Sequence, residues 1–86
     1  MEKFEIRFKR TVAKELLKLP RNDNRKIMAR ILALSENPRP AGCEKLADRE
    51  SYRVRQGDYR IIYTIDDDRV IVEVIRVGHR RAIYRH

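Results

Sequence analysis

Tyr52–Tyr84 reads YRVRQGDYRIIYTIDDDRVIVEVIRVGHRRAIY, and the fold follows from how this stretch pairs with itself. It divides into three apolar-rich runs separated by two turns, a pattern of three short strands followed by a basic tail. Gly57-Asp58 is a two-residue turn with glycine first, as a type II′ hairpin requires. That turn sets Gln56 opposite Tyr59, Arg55 opposite Arg60, Val54 opposite Ile61, Arg53 opposite Ile62 and Tyr52 opposite Tyr63. Opposed residues share a face. Tyr52, Val54, Ile61 and Tyr63 therefore fall on one side, and Arg53, Arg55 and Arg60 on the other. A second turn at Asp67-Asp68 would pair Ile65 with Val70, Tyr63 with Val72 and Ile61 with Val74. The expected core face is then Ile61, Tyr63, Ile65, Val70, Val72 and Val74. The open face carries Arg53, Arg55, Arg60, Ile62, Ile71, Glu73 and Ile75.

Ahead of this stretch, Phe4, Ile6 and Phe8 alternate with Glu5 and Arg7, a half-buried strand. A short helix is expected from about Thr11 to Leu19, with Val12, Leu16 and Leu19 on one face and Pro20 stopping it. A longer helix, capped by Asn22 or Asp23, runs to about Glu36 and turns Ile27, Met28, Ile31, Leu32 and Leu34 inward. Two helices joined by so short a turn must bury their stripes on the later strands. Asn37 to Gly42 is loop by composition, and Cys43 to Ser51 has one clear anchor, Leu46. The expected fold is α+β: an N-terminal strand, a two-helix hairpin and a three-stranded antiparallel meander in one sheet, β-α-α-β-β-β, with the helices on one face and a short basic C-terminal tail.

With 86 residues, the chain is read as one domain, residues 1–86, with one modest core. A hydrophobic fraction of 42% suffices for that core. The formal charge is +8, carried by fifteen arginines against six lysines. Such an excess predicts an anionic partner, most often nucleic acid, and arginine suits it because its planar fork holds phosphate oxygens bidentately. The single cysteine, Cys43, is expected to be a small half-buried residue; it excludes an internal disulfide framework and a cysteine zinc site. That cysteine usage makes a reducing cytoplasm the expected compartment; MEKFEIRFKR has no apolar run long enough for a signal peptide and no segment could span a bilayer, so no membrane partner is expected. Arg55 opposite Arg60 breaks a pairing rule, since like charges across a strand pair destabilise it. Such exceptions are expected at functional sites. The structural alternative is that Glu73 neutralises the cluster on a solvated surface.

The element order, together with NPRPAG, YRVRQGDYRIIY, the acidic turn and VIRVGHRRAIYRH, resembles the RelE/ParE superfamily of toxins from toxin–antitoxin pairs. GDYRIIY and VGHRRAIY are its most specific pieces, and the match runs over essentially the whole chain. Within the superfamily the sequence looks like the RelE branch, which cuts messenger RNA in the ribosomal A site; the ParE branch poisons DNA gyrase on the same fold. The resemblance implies that Arg60 stabilises phosphate, that Arg80 is the second essential arginine and that Tyr84 is the general base. Arg53 and Arg55 stand where the best-known members carry lysines, which keeps the charge and loses a group able to release a proton. With Arg81 they are expected to hold RNA phosphates. The implied partners are a cognate RelB-like antitoxin in a hetero-oligomer, the ribosome and mRNA. A gyrase inhibitor and an inactive antitoxin-binding homologue are the alternatives.

Metal-free RNA cleavage needs a base for the 2′-hydroxyl, positive charge at the phosphorane and a proton for the leaving 5′-oxygen. The arginines supply the second need. A tyrosine titrates near 10, so Tyr84 serves as base only if the arginines lower it or partial transfer suffices. Histidine is the side chain suited to proton transfer near neutral pH, and His79 is the other candidate; continued alternation would place it toward the arginines, and the bland alternative is a polar residue closing the strand. Asp66-Asp67-Asp68 reads as a turn. No metal or other cofactor is implied.

Overall fold

The computed structural model describes residues 3–46 and 50–79. Its elements are β1 (Glu5–Phe8), α1 (Arg10–Leu17), α2 (Arg21–Ala33), β2 (Glu44–Lys45), β3 (Ser51–Gln56), β4 (Tyr59–Asp66) and β5 (Ile71–His79). The strands form one sheet in the order β1-β5-β4-β3-β2. β1 runs parallel to β5, and every other pairing is antiparallel. The expected α+β class holds, with a mixed five-stranded sheet in place of a simple meander. The added strand, β2, is two residues long and pairs Glu44 with Arg53 and Lys45 with Tyr52. So short an edge strand carries no hydrophobic alternation by which to be seen.

α1 packs on β5, and α2 lies over β3 and β4. Val12, Ile27, Ile31 and Leu34 from the helices meet Tyr52, Val54, Ile61, Tyr63, Ile65, Val72, Val74 and Val77 in one core. Ile27, Ile31 and Leu34 sit at i, i+4, i+7 and are buried; Leu32 lies off that stripe and is 57% exposed, against expectation. Neither Asn22 nor Asp23 caps α2. The helix begins at Arg21, and the Pro20 carbonyl accepts the Asn24 N–H at 2.9 Å. Proline suits that entry because its fixed φ, here −55°, and its missing N–H cost nothing at a helix start. Asp23 instead stands in the first turn, where the helix dipole favours an acid.

The β3–β4 register is as the sequence predicts, from Gln56↔Tyr59 through Tyr52↔Tyr63. Gly57 has φ +62°, the left-handed conformation that the first turn position demands. The β4–β5 register is not as predicted. The turn takes four residues, Asp67 to Val70, so Ile65 faces Val72 and Tyr63 faces Val74. Val70 leaves the core face and adopts φ 60° in the turn. A bulge then follows: Tyr63 pairs with Val74 but Ile62 pairs with Arg76, leaving Ile75 as the extra residue, and Ile61 faces Val77 instead of Val74.

The bulge has a visible cause in the sequence. Strict alternation from Val72 and Val74 would turn Arg76 into the core; one extra residue buries Val77 there instead. It also has a structural support. β1 ends at Phe8, paired with Val74, so on that edge β5 has no described strand beside it beyond that point. Glu15 of α1 fills the gap, its Oε1 accepting the Val77 N–H at 3.0 Å, while Arg76 Nε lies 3.9 Å from Glu15 Oε2.

The loop 37–42 is tied down by tyrosines. The buried Tyr63 hydroxyl donates to the Pro38 carbonyl at 2.7 Å, and burial pushes that phenol well above its ordinary pKa. Arg39 lies over the Tyr52 ring, 5.3 Å from its centroid, and forks onto both Asp67 oxygens at 3.2 and 2.9 Å.

Candidate functional site

Arg53, Arg55 and Arg60 share the sheet face turned away from the helices, and Arg55 and Arg60 are directly opposed. Their surroundings differ. Arg55 is exposed, Arg53 is half-buried and Arg60 is only 3% exposed. On its other flank Arg60 faces Gly78, which has no side chain to crowd it. A notch of about 30 Å³ lined by Arg55, Gly57, Asp58, Tyr59 and Arg60 marks the hairpin end. Burial leaves a guanidinium few directions to take, and a fixed direction is the requirement for electrostatic stabilisation.

Among the described residues, Glu44 and not Glu73 is an acid that answers this cluster. Arg53 Nη2 bonds Glu44 Oε2 across the β2–β3 pairing. The bond from Arg53, together with the nearby charges of Arg53, Arg55 and Arg60, holds the Glu44 carboxyl below its usual range. Glu73 is opposite Thr64 and contributes to the field at Arg7 instead. Glu44 went unrecognised because its strand left no pattern. Arg76, at the register position beside Ile62, is a further cation of this region that alternation alone would have misplaced.

His79 does not lie with the arginines. The bulge shifts β5 by one residue, so His79 pairs with Tyr59 and lies on the helix side of the sheet. There it meets the Tyr59 ring edge-on, with centroids 5.8 Å apart and planes at 82°. The Tyr59 hydroxyl donates to Asp23 Oδ2 at 3.1 Å. Partial burial first, then the Asp23 carboxylate, raise the Tyr59 pKa, so this phenol acts as a donor and not as a base. These groups line a cleft of about 290 Å³ with Lys26, Ile27, Gln56, Gly57 and Asp58. Asp23 read in the sequence as a helix cap, and Tyr59 as a strand residue; only their convergence marks them. Cys43 is half-buried, as expected. Arg80, Arg81 and Tyr84 lie outside the described residues.

Three comparisons bear on what carries such a site. Residues 6–84 match the family model described as ParE toxin of type II toxin-antitoxin system, parDE. Toxin RelG of Mycobacterium tuberculosis is 36% identical over 90 residues, covering 95% of this chain and 97% of that protein. Toxin RelE of the same organism is 32% identical over 84 residues, covering 95% and 87%. Among solved structures, the M. tuberculosis RelBE2 toxin–antitoxin complex superposes with a TM-score of 0.81 at 30% identity, covering 91% of this chain and 99% of the matched one. The RelE–RelB complex of Pyrococcus horikoshii gives 0.82 at 25% identity, covering 91% and 96%. With the family model, the near full-length relatives and the fold in agreement, the chain belongs to the RelE/ParE superfamily as a RelE-family toxin of the type II toxin–antitoxin class.

Proposed function

We propose that this toxin is a ribosome-dependent endoribonuclease that cleaves mRNA in the A site and so stops translation in the cytoplasm. The observation that carries the reading is Arg60, a guanidinium buried at the hairpin end and opposed to Arg55. The register places like charges together at a cost to the sheet, on the face turned away from the two described helices. A phosphate is the ligand that repays this arrangement.

In the proposed reaction the 2′-oxygen attacks the adjacent phosphorus, the bond to the 5′-oxygen breaks, and a cyclic phosphate and a 5′-hydroxyl result. Arg60 and Arg80 stabilise the negative charge that builds on the non-bridging oxygens; Arg53, Arg55 and Arg81 hold the flanking phosphates. Tyr84 takes the 2′-hydroxyl proton, and solvent water gives a proton to the departing 5′-oxygen. His79, on the helix side of the sheet, has no part in proton transfer here. The arginines supply the charge, so the scheme calls for no metal or other cofactor. The described part of the arginine face offers no exposed aromatic ring on which to stack bases, so the toxin depends on the ribosome to position its substrate. A RelB-like antitoxin in a hetero-oligomer is the protein partner. The antitoxins in the complexes formed by its structural neighbours support this.

The test is to map mRNA 5′ ends with and without translating ribosomes for the wild type, Arg60→Ala and Arg80→Ala. Codon-phased cuts that need ribosomes and fall about 10²–10³-fold in Arg60→Ala are expected, the usual scale for losing one charge-stabilising donor. Cuts that persist in both variants would remove these arginines from the mechanism. Absence of cuts together with loss of gyrase supercoiling would favour the inhibitor reading, which the ParE description of the matched family model keeps in view.

A further inference from the structure

Arg55 and Arg60 repel one another at the end of a hairpin closed by two turn residues, and the repulsion acts to splay the strands. A tie on the far face of the sheet opposes it. On the opposite face, one residue before Arg60, the Tyr59 hydroxyl bonds Asp23 in the first turn of α2 at 3.1 Å. His79 closes on the same ring edge-on. α2 is itself fixed by the fully buried Ile27 and Ile31. Consecutive strand residues point to opposite faces, so fixing Tyr59 below the sheet fixes the direction in which Arg60 leaves it above. Gln56, which faces Tyr59, stands in the same relation to Arg55.

We propose that Tyr59, tied to Asp23, is a positioning residue for the Arg55–Arg60 pair. The inference rests on the reading that this pair holds phosphate. It assigns to a helix residue far in sequence from the arginines a share in their aim. The tie is built from a neutral phenol and a carboxylate, so it adds no further positive charge beside the pair.

The experiment uses the full chain with Tyr59→Phe, Asp23→Ala, Asp23→Asn and the Tyr59→Phe/Asp23→Ala double variant. The first readout is the Arg60 Nε–Hε NMR signal, which needs no activity. It should shift or broaden in Tyr59→Phe and in Asp23→Ala, and return toward the wild-type position in Asp23→Asn, whose side-chain oxygen still accepts. The second readout is cleavage on programmed ribosomes. Misaiming a substrate-contacting group costs about ten- to a hundredfold. The loss should fall on kcat with KM unchanged, and the double variant should lose no more than either single change. An Arg60 signal identical in wild type and Tyr59→Phe, or losses that multiply in the double variant, would overturn the proposal. Arg60→Ala separates the two readings: if it cleaves like the wild type, the nuclease assignment to this face fails, whereas loss there with full activity in Tyr59→Phe sinks only the positioning role.

Discussion

The two hairpins of the sheet were built from similar sequence and came out differently. β3–β4 closes through Gly57-Asp58 and keeps an unbroken register along all of β3. β4–β5 closes through four residues, twists Val70 to φ 60° and takes up an extra residue at Ile75. The lesson concerns parity. Side chains alternate with period two, so one inserted residue sends everything after it to the other face. The first hairpin preserves parity, and Arg53, Arg55 and Arg60 stay together. The second changes it once, which buries Val77, brings Arg76 level with Ile62 and carries His79 away from the arginines to Tyr59 and Asp23.

The comparison breaks most sharply at Glu15, the group on which the bulge leans. Glu15→Ala leaves the partly buried Val77 N–H without its acceptor and Arg76 without its carboxylate, and should cost about 1–3 kcal/mol. Glu15→Gln keeps an acceptor oxygen and should recover most of that. Urea unfolding gives the totals, and faster amide exchange at Val77 with little change at Val54 would place the damage in the second hairpin. Equal exchange changes in both would mean that Glu15 supports the helix packing generally and not the bulge.

The turns offer opposite signs. Gly57→Ala meets nothing within 4 Å, so its cost is purely that of an L side chain at φ +62°, about 1–2 kcal/mol. Val70→Gly exchanges the residues the other way. It relieves a β-branched side chain at φ 60° while adding freedom to the unfolded chain, and a smaller net gain of about 0.5 kcal/mol is expected. Thermal unfolding of both variants decides it. A loss in Val70→Gly would show that the half-buried valine contributes more by packing than its backbone costs.

These differences also mark what could be read in advance. Gly57 announces both its turn and its register, because few residues other than glycine accept that conformation. The apolar stripe of α2 gave Ile27, Ile31 and Leu34 for the same reason of spacing. Val70 announces nothing: a valine in the left-handed region runs against its own preference and is held there by context. The bulge was half legible, since Arg76 falls where alternation wants a core residue and Val77 follows it. β2 and Glu44 were not legible, because a two-residue edge strand has no period. Asp23 and Tyr59 lie thirty-six positions apart and meet only through the packing of α2 on the sheet.

The smallest expected effect contrasts the carboxylates that serve the two hairpins. Asp67, in the β4–β5 turn, accepts the fork of Arg39, and those bonds lower its pKa; Glu44, beside β3, is lowered by Arg53. A carboxyl whose folded pKa is depressed contributes stability above its unfolded value, near 4, and loses it as pH falls through the folded value. Acidification below about pH 4 should therefore weaken the fold through both acids. Both are exposed and screened by solvent, so each share is small and shrinks with salt. Asp67→Asn should flatten part of the acid limb of a stability–pH curve and leave cleavage unchanged. Glu44→Gln should flatten a similar part and, by removing a negative charge from beside Arg53, Arg55 and Arg60, also strengthen RNA binding at low salt. If the two variants alter RNA binding alike, Glu44 has no special hold on the arginine face, and the electrostatic distinction between the two hairpins fails.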